Sequence, residues 1–269
     1  MKSSRSNYSF KSYIIDMKLS GKTALVTGAA GGIGSAVAQC FAAEGASLIL
    51  SDCNREGASV VGERIEKKGG GEATVIIADV TLENEVRDLF AEIEDSFSSL
   101  DIVVNIAGGD VEPVADVEAI DYECMSRNLD LNLKSCILSC REACRIMKPG
   151  RYGRIVNMSS LVYRGGPGQF SYSAAKGGIF SFTRSLAMAM GGYNITVNAL
   201  APALVDVPMF SRVLGKERWE TMAREAAARY PLQRIAKPED VAKAALFLAS
   251  DDAAFITGQI LEISGGARL

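Results

Sequence analysis

Tyr172 and Lys176 lie four residues apart in the segment YSAAK, in a chain that contains no histidine. The segment opens a run of helical character, GGIFSFTRSLAMAM, so this spacing places both side chains on one face of a helix. A free tyrosine, with a pKa of about 10, is a poor base at neutral pH, and a neighbouring ammonium group favours the phenolate. The pair is therefore predicted to move a proton, as the oxidation of an alcohol or the reduction of a ketone requires.

A second group of residues is typical of a dinucleotide site. The segment TGAAGGIG carries Gly28, Gly32 and Gly34 in a GxxxGxG spacing, which differs from the GxGxxG fingerprint. Glycines at such a turn let the backbone approach a pyrophosphate at the N-terminus of a helix. Asp52 ends the next apolar segment, where a carboxylate accepts hydrogen bonds from the adenosine ribose and repels a 2′-phosphate. This favours NAD over NADP, although the nearby Arg55 leaves NADP open.

The elements that must position these residues alternate regularly along the chain. Strands are predicted at 23–27, 47–51, 73–78, 101–105, 154–158, 195–200 and 259–263. Helices are predicted near 32–44, 54–68, 82–97, 120–148, 172–190 and 238–249. Strands that are apolar on both faces and joined by helical crossovers indicate a parallel sheet covered on both sides. The predicted fold class is α/β, a Rossmann-like doubly wound sheet of seven strands in a single domain, with ligands at the carboxyl ends of the strands.

The ends of the chain and one internal stretch fall outside this alternation. Residues 1–17 are polar and weakly basic and are predicted to be a disordered extension, which leaves 18–269 as the nucleotide-binding oxidoreductase domain. Residues 204–237 contain no strand pattern and follow the sixth strand, where a substrate lid would lie.

Composition excludes several classes of partner. The net charge of −3 and the pI of about 5.3 argue against nucleic acid and anionic membrane. No apolar run approaches the length of a membrane span, and the first residues do not resemble a secretory signal, so a cytoplasmic location is expected. One helical stripe would be formed by Cys136, Cys140 and Cys144. Because the chain has no histidine and no CxxC pair, helix packing explains this stripe better than a metal site does, and no metal is predicted.

Taken in order, the motifs resemble those of one known family. TGAAGGIG, ADV, VNIAG, LNLKS, VNMSS, YSAAK and VNALAP follow one another as they do in the short-chain dehydrogenase/reductase family, over about residues 18–269. The resemblance implies an oxidoreductase that acts on CH–OH donors with NAD or NADP, and a homotetramer or homodimer.

The resemblance also implies roles for individual residues. The implied catalytic set is Asn132, Ser160, Tyr172 and Lys176. In this set Ser160 binds the substrate oxygen, Asn132 holds a water and Lys176 also binds the nicotinamide ribose. The family's commonest interval before the tyrosine points instead to Ser159, but the register of the strand favours Ser160. Asn128 is a lesser candidate for the place of Asn132.

A longer set of residues is expected around the cofactor. It comprises Gly28, Gly32, Ile33, Gly34, Asp52, Asp79, Val80, Asn105, Ala107, Gly108, Tyr172, Lys176, Pro202 and Val205. Asp79 would bind the adenine amino group, or else serve as the N-cap of the following helix. The chain departs from the family at Ile106, Ala203 and Val207. Because valine cannot form the hydrogen bond of the threonine often found at this last position, that anchor is missing or is supplied elsewhere, for example by the backbone of Val205.

These residues predict a function in outline. The leading hypothesis is an NAD(H)-dependent oxidoreductase that interconverts a secondary alcohol and a ketone by hydride transfer at nicotinamide C4, with Tyr172 as general acid/base. The alternative is an NADPH-dependent 3-oxoacyl-thioester reductase, against which Asp52 argues; a non-catalytic dinucleotide-binding protein would not need the four-residue set. The small-molecule substrate would contact Gly109, Asp110, Leu161, Val162, Gln169, Phe170, Met209, Phe210 and Trp219.

Overall fold

The computed structural model describes residues 17–111 and 116–267. Residues 1–16 of the predicted N-terminal extension lie outside the described residues. Within the two described ranges, no helix has both the length and the apolar character needed to cross a membrane.

Seven parallel strands form one sheet in the order β3-β2-β1-β4-β5-β6-β7. They are β1 (Thr23–Thr27), β2 (Ser47–Asp52), β3 (Ala73–Ile77), β4 (Ile102–Asn105), β5 (Gly153–Met158), β6 (Ile195–Pro202) and β7 (Ile260–Ile263). The predicted fold class is confirmed, and the predicted strand bounds agree to within one or two residues. The chain runs outward from β1 to β3 and then returns to place β4 on the other side of β1. This reversal opens a crevice at the carboxyl ends of β1 and β4, where ligands bind in such sheets.

Helices cover both faces of the sheet. They are α1 (Gly32–Ala43), α2 (Arg55–Lys67), α3 (Glu83–Ser96), α4 (Tyr122–Asn128), α5 (Ser135–Gly150), α6 (Phe170–Met190), α7 (Pro208–Leu214), α8 (Lys216–Arg229) and α9 (Pro238–Ala249). Successive strand residues point to opposite faces, so Val26 packs in the core beneath α1 and α9, whereas Leu25 packs in the core beneath α3, α5 and α6. The cysteine stripe of α5 is buried in this second core, as helix packing predicts.

The structure corrects two predicted elements. The helix predicted at 120–148 is interrupted by a π-helical turn, Leu129–Lys134, between α4 and α5. In this turn the Ser135 N–H donates to the Asp130 carbonyl, five residues earlier, and an insertion of this kind hardly disturbs the apolar period that predicts a helix. The strandless stretch 204–237 contains two helices, α7 and α8.

Candidate active site

The glycine-rich turn after β1 lies directly against the end of β4. Gly28 has φ +67°, and a Cβ added there would lie 2.8 Å from the backbone of Ala107. A Cβ at Gly34 would collide with the Gly28 carbonyl oxygen. The Thr27 hydroxyl oxygen accepts hydrogen bonds from the backbone N–H groups of Ile106 (3.1 Å) and Ala107 (3.3 Å). A side chain at Gly28 would therefore push the turn away from the end of β4, and one at Gly34 would push α1 away from the turn.

The carboxylate of Asp52 faces the same turn from the end of β2. One of its oxygens accepts a hydrogen bond from the Ala30 N–H at 3.0 Å and the other from the Asn54 N–H at 2.9 Å. At the start of α1 no side chain caps the helix, because the N-cap residue is Gly31. A turn made of glycines and alanines, a helix N-terminus without a side-chain cap and a carboxylate together fit the diphosphate and ribose of a nicotinamide dinucleotide.

Asp79 and Asn105 occupy the ends of β3 and β4 and use their side chains differently. One oxygen of Asp79 accepts from both the backbone N–H and the hydroxyl of Thr81, at 2.9 and 2.7 Å. Because α3 begins at Glu83 with Leu82 as N-cap, Asp79 is not the cap of that helix. The Asn105 side chain is buried among hydrogen-bond partners inside the fold.

The partners of Asn105 form a buried polar network that the motif analysis did not identify. The Ser139 hydroxyl donates to Asn105 Oδ1 (2.6 Å), and Asn105 Nδ2 donates to Asn157 Oδ1 (2.9 Å). Asn157 Nδ2 in turn donates to the Thr183 hydroxyl at 3.0 Å. Asn105 and Asn157 are paired in register on β4 and β5, so an asparagine near the end of each of two adjacent strands was the available signal. The network ties α5 and α6 to the sheet behind the crevice.

The structure places Ser160, not Ser159, beside Tyr172. Ser160 forms a hydrogen bond with the Tyr172 phenol in the first turns of α6. The Ser159 hydroxyl is buried and donates to the Lys176 backbone carbonyl at 2.9 Å. Ser160 is fully extended, with φ −158° and ψ 157°, and neighbouring side chains of an extended chain point in opposite directions.

Lys176 lies beside Tyr172 as the spacing predicts, but its ammonium group donates a hydrogen bond to the backbone of β5. The Nζ atom is 5.4 Å from the centroid of the Tyr172 ring and donates to the Met158 carbonyl at 2.9 Å. Burial lowers the pKa of Lys176 to about 8 and raises the pKa of Tyr172 to about 12, against the opposing effect of the Ser160 hydrogen bond. The expected lowering of the Tyr172 pKa by Lys176 is therefore wrong for the chain by itself, because burial has the largest effect on this pKa and raises it.

Asn132 lies in the π-helical turn and holds the loop that follows β4. Its Oδ1 accepts from the Gly109 N–H at 3.1 Å, and its Nδ2 donates to the Gly109 carbonyl at 2.8 Å. A Cβ added at Gly108, where φ is +156°, would lie 2.6 Å from Asn132 Oδ1 and 3.3 Å from Lys176 Nζ. The structure thus brings Asn132 and Lys176 together around Gly108. Asn128 instead binds Ser171 and the Val111 N–H.

The segment after β6 contacts the glycine-rich turn through Val207, one of the three residues that depart from the family pattern. A Cβ added at Gly32 would lie 2.9 Å from Val207 Cγ1, so this valine packs on the turn. Val205 is buried and forms a bridge with Ala236, across the base of the segment. The remaining predicted cofactor residues are near the same crevice: Ile33 in the first turn of α1, the buried Val80 just after β3, and Pro202 at the end of β6.

Comparisons with known proteins find similar proteins over most of the chain. A family model described as enoyl-(acyl carrier protein) reductase matches residues 28–268. The 3-oxoacyl-(acyl-carrier-protein) reductase of Thermotoga maritima is 36% identical over 251 residues, 93% of this chain and 99% of that protein. The cis-4-hydroxycyclohexanecarboxylate dehydrogenase of Sinomonas cyclohexanicum is 40% identical over 248 residues, 91% and 96% of the two chains. A crystal structure of NAD⁺-bound xylitol dehydrogenase superposes with a TM-score of 0.87 at 31% identity, covering 93% of this chain and all (100%) of the other. The chain therefore belongs to the short-chain dehydrogenase/reductase family, whose members are oxidoreductases that act on CH–OH or carbonyl groups with NAD(P).

Proposed function

We propose that this protein is an NAD(H)-dependent oxidoreductase that interconverts a secondary alcohol and a ketone, with Tyr172 as the general acid/base. The observation that carries the proposal is the grouping of the Ser160 hydroxyl, the Tyr172 phenol and the buried Lys176 ammonium at the carboxyl end of β5. Burying these polar groups lowers the stability of the fold, and groups buried in this way at a ligand-binding edge are typical of active sites.

Each side chain has a distinct task in carbonyl reduction. Tyr172 donates its phenolic proton to the substrate oxygen, and Ser160, within hydrogen-bond distance of Tyr172, donates a hydrogen bond to the same oxygen. Lys176, anchored on the Met158 carbonyl, keeps a donor beside Gly108 and the Tyr172 ring. A bound nicotinamide supplies the hydride. In alcohol oxidation the proton steps run in reverse.

The preference for NAD rests on Asp52. Its carboxylate is fixed against the glycine-rich turn by the N–H groups of Ala30 and Asn54, so a 2′-phosphate at the adenosine ribose would approach a negative charge. The NAD⁺ in the similar xylitol dehydrogenase structure supports the same choice.

A second candidate is a 3-oxoacyl-thioester reductase that uses NADPH. Several relatives at 35–36% identity carry the name 3-oxoacyl-(acyl-carrier-protein) reductase, which favours it. Asp52 is the feature that disfavours it. For either substrate, we propose that residues 204–237 cover the site, because Val207 of this segment already packs on Gly32. The resemblance to the family supports a homotetramer or homodimer, which light scattering would measure.

An absorbance assay at 340 nm separates the two candidates. Both NADH and NADPH would be tested with cyclic ketones, ketoses, keto acids and 3-oxoacyl thioesters. We expect NADH to support reduction of a ketone at a kcat/KM more than about tenfold above that of NADPH, since an adverse charge of this kind costs about 1.4 kcal/mol or more. A preference for NADPH with a thioester substrate would establish the second candidate instead.

Replacing Tyr172 with phenylalanine tests the acid/base role. Tyr172→Phe should lower kcat by roughly 10²-fold or more while leaving the affinity for NADH nearly unchanged. Tyr193→Phe is a matched control, because the Tyr193 ring also lies near a lysine ammonium, Lys148 Nζ, at 5.2 Å but outside the crevice. Residual activity of Tyr172→Phe above roughly a tenth of the wild-type value would refute the assigned role.

A further inference from the structure

Asp110 joins three segments around the start of α6. It follows Gly109 in the loop between β4 and α4. One carboxylate oxygen accepts from Gln169 Nε2 at 2.9 Å, and the other accepts from Asn128 Nδ2 at 3.1 Å. Gln169 immediately precedes α6, and Asn128 is the last residue of α4. Amide donors on both oxygens fix the position of the carboxylate.

The position so fixed is next to Tyr172. Asn128 is completely buried, and its Nδ2 also donates to the hydroxyl of Ser171, the residue before Tyr172, at 2.9 Å. Asn128 Oδ1 accepts from the Val111 N–H at 3.0 Å, which holds the loop on the far side of Asp110. The carboxylate therefore belongs to the same rigid unit as the first turn of α6.

Burial and two neighbouring side chains affect the pKa of the Tyr172 phenol. Burial is the main cause of its raised pKa, the Ser160 hydrogen bond opposes the rise, and the negative charge of Asp110 adds to it. On its own helix the phenol is near Lys176, whose pKa is lowered by burial and raised by Cys136 of α5. Among the described residues, Asp110 is thus an acidic group that acts on Tyr172 from the loop after β4.

We propose that Asp110 is a positioning residue: its carboxylate, held by Asn128 and Gln169, presents a fixed negative charge to Tyr172 and so sets the pH range in which the enzyme works. This inference rests on the proposed acid/base role of Tyr172. The overall equilibrium of the reaction is unaffected. What changes is the pH at which the phenol loses its proton, so carbonyl reduction persists to higher pH and alcohol oxidation begins at higher pH.

The test compares pH profiles of kcat/KM in both directions for the wild type, Asp110→Asn and Gln169→Met. Asp110→Asn removes the charge and keeps the shape, and we expect both midpoints to move to lower pH by about one unit. Gln169→Met removes one amide donor but leaves the charge, so its midpoints should stay within a few tenths of a unit of the wild-type values, whatever its rate.

Unmoved or raised midpoints in folded Asp110→Asn would overturn the inference, and a loss of rate alone would show that Asp110 has a structural role. If Asp110→Asn does not fold by circular dichroism, Asp110→Ser removes the charge with a smaller side chain and is read in the same way. Tyr172→Phe separates the two proposals. If it is inactive and the Asp110→Asn midpoints do not move, only this inference fails; if it is active, the proposed function fails as well.

Discussion

Replacing Lys176 with methionine should make the protein more stable at neutral pH while it destroys activity. The Lys176 side chain is 2% exposed, and burial lowers its pKa from 10.5 to about 8. Methionine has a similar length and no charge, so it removes the buried ammonium without leaving a large cavity. A residue retained at a cost to stability is expected where function requires it.

The magnitude follows from the pKa difference. Between 10.5 unfolded and about 8 folded, the difference of 2.5 units corresponds to about 3 kcal/mol. Because the folded pKa is the lower one, the full cost is present below pH 8 and disappears as the pH rises toward 10.5. The variant also gives up the hydrogen bond to the Met158 carbonyl, worth about 1 kcal/mol. We therefore expect Lys176→Met to be more stable by about 2 kcal/mol at pH 7 and about equal to the wild type near pH 10.

Urea unfolding at pH 7 and pH 10 measures both values. Other groups that titrate in this range, such as the buried thiol of Cys144, are common to the two proteins and cancel in the difference. Lys216→Met is the control, because the Lys216 side chain is 85% exposed and its removal should leave the pH dependence unchanged. If Lys176→Met were less stable at pH 7, or followed the wild-type pH dependence, the argument from burial would be wrong.

Five further substitutions, in three tests, address the site. Ser160→Ala should lower kcat by roughly 10²-fold with little loss of stability. Ser159→Ala should mainly lower the melting temperature, by the equivalent of about 1 kcal/mol. Kinetics and thermal melts would show the opposite pattern if the roles of the two serines were reversed. Asp52→Ala should lower the NAD-to-NADP ratio of kcat/KM by about tenfold or more, and an unchanged ratio would contradict the role of this carboxylate. Gly108→Ala should lower kcat/KM by roughly tenfold or more, because the added methyl group displaces Asn132 and Lys176. Gly109→Ala, whose added Cβ meets nothing within 4 Å, should lower kcat/KM much less. Equal kinetics in the two variants would refute this reasoning.

The sheet could be predicted from the sequence because each strand has a simple physical pattern. All five residues of β1, TALVT, are buried, as expected for a strand covered on both faces. The glycine-rich turn follows β1 and Asp52 is the last residue of β2, so their convergence at the crevice follows from the parallel order of the strands. The π-helical turn at Leu129–Lys134 was not predicted, because the segments on both sides of it are helical and the pattern that predicts a helix does not distinguish one π-helical turn.

The site was predicted less completely because its contacts connect distant parts of the chain. The spacing of Tyr172 and Lys176 places them on one helix face but does not show that Lys176 Nζ reaches the Met158 carbonyl on β5. In the chain alone, burial raises the pKa of Tyr172, which is the opposite of the expected direction. The choice between Ser159 and Ser160 depends on an extended backbone at the end of β5, which the strand register indicated and the loop length did not.

The interrupted helix explains why an asparagine, a poor helix former, lies in the middle of it. Asn132 Nδ2 donates to the Asn128 carbonyl at 3.0 Å, so the side chain helps to satisfy the backbone where the helix changes pitch. The same side chain bonds Gly109 through both its oxygen and its nitrogen, while Asn128 holds Val111. Two asparagines on successive turns thus hold alternate residues of one loop, and Asp110 lies between those residues. The position of the Asp110 charge near Tyr172 is therefore determined by α4 and the π-helical turn as much as by α6.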